Sequence, residues 1–218
     1  MIRKLAILFS WIFLPLFAPV YALLAVFYIP SAPKSFQLAD SLFHYPTNLQ
    51  NSIIALFVVF IVLAPGVSLL ILKLNNSISS LSLPNRSERS APIIIMTFYC
   101  GVLVGVSYYL RLFLPNIILG MTFGGFLSSL FALMLNQKLK ISLHGIGMGS
   151  LVGFLYSYYL GMEVFSIEIF YLSIVLGSIV LFSRAYLNQH SVLELFLGSA
   201  LGFVCQFLSI YFYTSIFS

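Results

Sequence analysis

The chain has 218 residues, of which 61% are hydrophobic and only 7% charged, and its net charge is +5. With a mean hydropathy of +1.09, it is more apolar than the core of a soluble protein this long requires, and it has no basic domain that would carry nucleic-acid contacts. The expected fold is all-α, a polytopic transmembrane helical bundle of six to seven spans forming one domain over residues 1–218.

Apolar runs of about 20 residues, long enough to cross roughly 30 Å of hydrocarbon, follow one another along the chain. The first runs from Leu5 to Ile29 and contains Pro15 and Pro19, which remove backbone donors and predict a kink or a re-entrant hairpin. Arg3 and Lys4 precede it, but the run is too long for a signal peptide and has no small-residue cleavage site, so an anchor is expected. Further spans are predicted at Ser52 to Leu72, Pro92 to Leu110, Pro115 to Leu135, Gly145 to Met162, Ile167 to Phe182 (a short one) and Val192 to Thr214. Gly145, Gly149 and Gly153 form a four-residue ladder, as do Gly198 with Gly202 and Gly101 with Gly105. Small residues let helices approach closely in lipid, so all three ladders are expected to serve packing. Cys100 and Cys205 lie inside apolar runs with no CxxC or Cys/His spacing, which suggests packing and neither a disulfide framework nor a zinc site.

Charge is scarce, so its placement is informative. An ionisable group at membrane depth costs several kcal/mol by insertion scales of about 2.5–3.5 kcal/mol, and marks a candidate site. Arg184, His190 and Glu194 cluster before the last span. A four-residue spacing on a helix would stack His190 on Glu194, leaving one imidazole nitrogen bound to the carboxylate and the other free. Arg184 offers a planar cationic fork to an oxyanion. Lys138, Lys140, Ser142 and His144 precede the fifth span, and Arg86, Glu88 and Arg89 precede the third. Two spans separate each cluster from the next, so Arg89, His144 and His190 emerge on one membrane face. His44, Asp40, Glu163 and Glu168 fit ordinary loop positions.

Arg89 with Pro92, then Lys140-Ile141-Ser142-Leu143-His144-Gly145, then Ser183-Arg184 through His190 to Glu194 resemble the three motifs of the phosphatidic acid phosphatase type 2 and haloperoxidase superfamily. The chain is similar over nearly its full length to small bacterial integral-membrane members, which share an element like Phe13-Leu14-Pro15-Leu16 and an Arg-x-x-Arg-x-x-Pro like Arg86 to Pro92. Four positions differ from the family pattern. Ser82 stands where a Lys is usual, so Arg86 or Lys140 would supply that charge. Ile141 and Leu143 flank Ser142 where Pro and Gly are usual, and Glu194 replaces an Asp.

The resemblance implies a metal-independent lipid phosphate phosphatase without a cofactor. His190 would be the nucleophile, oriented by Glu194 and passing through a phosphohistidine, and His144 would protonate the leaving oxygen. Arg89, Lys140 and Arg184, with Arg86 and Ser142, would hold the phosphoryl oxygens in place of Mg²⁺. The substrate would be a membrane lipid phosphomonoester or diphosphate reached from the bilayer, and the location a bacterial inner (cytoplasmic) membrane. Two alternatives use the same residues: a lipid-to-lipid phosphotransferase, and a non-enzymatic anion transporter. With the N-terminus inside, eight Lys or Arg residues face the cytoplasm against Lys34 and Arg111 outside, which favours a cytoplasm-facing site.

Overall fold

The computed structural model of the protein describes residues 1–34, 41–80 and 87–216. It is an all-α bundle, and the expected spans reappear with small shifts at their ends. Helix α1 (Ile2–Ile12) and α2 (Ala18–Tyr28) flank a 3-10 turn at Pro15–Phe17, and the pair is bent by 43° at that break. Pro15 has no N–H with which to continue α1, and the helix stops three residues before it, at Ile12. The second rod starts after Pro46 and contains α3 (Thr47–Phe57), a π-helical stretch at Val58–Leu63 and α4 (Ala64–Leu74). Pro65 deprives the Ile61 carbonyl of its helical partner, which accounts for loosened winding just upstream.

Helices α5 (Ser90–Tyr109), α6 (Asn116–Asn136), α7 (Leu143–Gly161), α8 (Ile167–Tyr186) and α9 (Val192–Ile216) complete the bundle. The run expected to be short is a full 20-residue helix, α8, because helical winding continues through Ser183 and Arg184. Among the described residues, five helical rods are long and apolar enough to cross a membrane, and six if the bent α1–α2 pair counts as one span. The expected run that is not among these rods is α7. It is less apolar and mostly enclosed by its neighbours, with Met148, Leu151, Phe154, Leu155 and Tyr158 all buried. At 1.5 Å per residue its 19 residues span roughly 28 Å, and an enclosed helix needs little lipid-facing surface. The outer rods do face outward with apolar side chains, among them Phe98, Tyr171, Phe196 and Tyr211, each more than half exposed.

The core runs along α2, α3, α5, α6 and α7 through Leu23, Phe27, Ile53, Leu103, Ile118 and Phe154. A second small cluster, Ile93, Ala132, Ile141 and Ile146, lies at the opposite end of α7. The far end is closed by a short antiparallel clip pairing Ala32–Pro33 with Met162–Val164. There Tyr158 donates or accepts at Ser31 (2.7 Å) and receives the Leu42 amide (3.0 Å). His44 is exposed, as expected, but ends a 3-10 turn at Leu42–His44, and its Nδ1 lies 3.0 Å from the Ser41 hydroxyl. Asp40 falls outside the described residues.

Two of the three glycine ladders pack helices. A Cβ on Gly149 would strike the Ser199 carbonyl of α9, and one on Gly202 would strike the Ile146 carbonyl of α7. Gly145 would meet the Leu195 carbonyl at 2.9 Å and Gly198 the Ser142 carbonyl at 2.6 Å. The expectation for Gly101 and Gly105 is corrected. Gly105 faces open space and Gly101 makes only ordinary contact with the Phe126 ring, so neither permits a close helix approach.

Candidate functional site

The loops entering α5, α7 and α9 meet at one end of the bundle, as the parity of the spans requires. Arg89, 2% exposed, ends a 3-10 turn at Ser87–Arg89. Its Nη1 donates to the Ile141 carbonyl at 3.2 Å and to His190 Nε2 at 3.4 Å. One guanidinium therefore touches both of the other loops. Burial lowers the Arg89 pKa, and the Glu194 charge works against that shift.

The expectation that His190 sits on the helix with Glu194 is corrected. His190 lies in the bend between α8 and α9, and Glu194 is in the first turn of α9. Their contact comes from a capping box at Ser191-Val192-Leu193-Glu194. The Ser191 hydroxyl receives the Glu194 amide at 3.3 Å, and Glu194 Oε2 receives the Ser191 amide at 3.3 Å. The same Oε2 lies 2.8 Å from His190 Nδ1. A carboxylate only accepts, so Nδ1 carries the proton and the Nε2 lone pair points away from Glu194. Burial, then the Arg89 charge, lowers the His190 pKa to about 4, so the imidazole is neutral near pH 7.

His144, in the first turn of α7, has its Nε2 3.0 Å from the Ser10 carbonyl. That carbonyl can only accept, so the Nε2 proton of His144 is fixed there and Nδ1 is left unprotonated in the neutral ring. Ser10 belongs to the last turn of α1, where the break before Pro15 leaves carbonyls without their usual helical partners. The neighbouring Ile12 carbonyl is met by the Tyr21 hydroxyl at 2.7 Å. Arg184 occupies the last turn of α8, where a cation suits the helix dipole. It is 6% exposed, and its Nε has no hydrogen-bond partner among the described residues.

Arg89, His144, Arg184 and His190 all line a single cavity of about 260 Å³. Glu194 stands behind His190 and is not in the lining. Neither are Lys140 and Ser142. Lys140 is half-buried, and Ser142 is the N-cap of α7, its hydroxyl accepting from the Gly145 amide at 3.2 Å. Arg86 lies outside the described residues. Two contributors escaped sequence reasoning. The Ser10 carbonyl comes from a helix break that only the fold carries to His144, whereas Ser191 was detectable as the first residue of an S-x-x-E capping box. Among the described residues no three His, Cys, Asp or Glu side chains are grouped to hold a metal ion.

The arrangement can therefore offer a neutral imidazole nitrogen beside two buried guanidinium groups, with a second imidazole on the same cavity wall. No protein-family model, curated protein or solved structure matches the chain.

Proposed function

We propose that the protein is a metal-independent lipid phosphate phosphatase of the cytoplasmic membrane, working through a phosphohistidine at His190. One observation carries the reading: His190 Nδ1 is held by Glu194, while Nε2 meets Arg89 inside a cavity that Arg184 and His144 also line. In the first step the Nε2 lone pair forms a bond to phosphorus as the bond from phosphorus to the lipid oxygen breaks. The substrate enters as its phosphate monoanion and passes its proton to His144 Nδ1, since the Ser10 carbonyl holds the ring's other proton at Nε2; the departing alkoxide then takes that proton from Nδ1. Arg89 and Arg184 neutralise the phosphoryl oxygens, and their preorganised charge acts where water is excluded. In the second step water attacks phosphorus, His144 takes its proton, and the P–N bond breaks to release phosphate. Lys140 and Ser142 do not line the cavity and Arg86 lies outside the described residues, so no step is assigned to them in this reading.

The test is inorganic phosphate release by the purified protein from a panel of phosphatidate, phosphatidylglycerol phosphate, polyprenyl diphosphate and lipid A phosphate. Release from at least one that persists in EDTA is the expected result; strict dependence on added Mg²⁺ would overturn it. Transfer to a second lipid with no free phosphate would point instead to a phosphotransferase.

A further inference from the structure

The cavity does not end at the charged residues. From Arg89, His144, Arg184 and His190 it continues between α2, the π-helical stretch, α5, α6 and α7, where the wall is set by Ile61, Met96, Cys100 and Leu151. It reaches Leu103 on α5 and Phe154 on α7, both 1% exposed. From His144 to Phe154 the helical rise covers about 15 Å, roughly half the hydrocarbon thickness. Phe57 at the end of α3 and Ile61 in the π-helical stretch, four residues apart, both line this part. Its volume of about 260 Å³ is below the roughly 300–1,000 Å³ usual for sites that enclose a whole small molecule, which suits a single inserted chain better than a whole lipid.

We infer that this part of the cavity is a tube for one alkyl or polyprenyl chain of the substrate, with its phosphate at His190, and that Leu103, Phe154 and Met121 form a floor that measures chain length. The inference rests on the reading of the cationic end as a phosphate site. A cationic end joined to an apolar stretch lined by buried Leu103, Met121 and Phe154 matches an amphiphile with an anionic head and a single inserted tail. A second chain, where the lipid has one, would stay in the bilayer. Gly125 gives a way to shorten the tube. It lines the cavity, and a Cβ built there meets nothing within 4 Å, so a larger side chain fills the space without striking backbone.

Trp11 is the protein's only tryptophan; it lines the same cavity and is 52% exposed, so it reports on occupancy of the mouth. The experiment titrates the full chain in detergent micelles with brominated alkylphosphonates of increasing length, reading Trp11 quenching, with brominated alcohols as the headgroup-free control. The expected result is saturable quenching by the phosphonates, with affinity that rises with chain length and then stops rising. Gly125→Leu should weaken the longest phosphonate about tenfold more than the shortest, since each methylene in a fitted pocket is worth about tenfold or more. Affinity independent of length, non-saturating quenching, or an equal effect of Gly125→Leu at every length would overturn the inference. Should Gly125→Leu fail to fold, the unmodified protein's length series decides alone. Binding needs no turnover, so length-dependent binding without phosphate release from any ester would sink the phosphatase reading and leave the tube standing.

Discussion

His190 and His144 are each held at one nitrogen by an acceptor that cannot donate, Glu194 for the first and the Ser10 carbonyl for the second. The two rings are thereby given different tasks. His190 keeps an unprotonated Nε2 to which Arg89 Nη1 donates, a bond that an incoming phosphoryl oxygen would take over, while His144 has a fixed ring whose Nδ1 can accept a proton and pass it on. His144→Ala should therefore slow release from alkyl phosphates about a hundredfold, and from aryl phosphates, whose leaving groups need protonation least, much less. Steady-state kinetics on a matched alkyl and aryl pair checks this, and equal losses would remove His144 as the acid. The His190 pKa sits near 4 in the folded protein against about 6.5 in an unfolded chain. Between those values the unfolded chain binds more protons, so this group's contribution to stability is present above about pH 6.5 and is lost as pH falls toward 4. Thermal unfolding in detergent at pH 4.5 and 7.5 should show a larger loss for the natural protein than for His190→Asn; identical losses would contradict the assignment.

At the scale of elements, the site depends on two helix starts being clamped together. Ser142 caps α7 and its backbone amide meets the Glu194 carbonyl of α9 at 3.4 Å, while Gly145, Gly149, Gly153, Gly198 and Gly202 stand where a Cβ would strike the facing backbone. Gly149→Ala puts a methyl group against the Ser199 carbonyl, a backbone atom that cannot turn aside. Overpacking of this type costs about 1–3 kcal/mol and would displace His144 relative to His190, so thermal stability and phosphate release should both fall. Gly105→Ala, facing open space, is the matched control and should leave both within error. Equal behaviour of the two variants would show that the clamp does not matter.

At the scale of the whole molecule, apolar length and proline placement were enough to locate the helices, because crossing hydrocarbon requires a long run of apolar residues whatever the packing. Periodicity did not reveal which helix is central: α7 is recognised by its glycines and its burial, since an enclosed helix loses the strong apolar signal of a lipid-facing one. Span parity correctly brought Arg89, His144 and His190 to one end, where contacts now join their loops. What the linear order left out was third-party backbone. The Ser10 carbonyl comes from a broken first helix and the apolar part of the cavity is lined from several helices, features that depend on how distant segments stack. With the N-terminus inside and seven crossings, the eight basic residues against two on alternate loops would favour a cytoplasm-facing site.

The central claim is that His190 becomes phosphorylated, and trapping that species tests it most directly. The protein is mixed with a ³²P-labelled lipid phosphate that it turns over, quenched in alkali within one turnover, and digested for peptide mapping. The account predicts an alkali-stable, acid-labile label on His190, absent from His190→Ala, which should also lose at least about a thousandfold in turnover. Label on any other residue, or full turnover by His190→Ala, would contradict it.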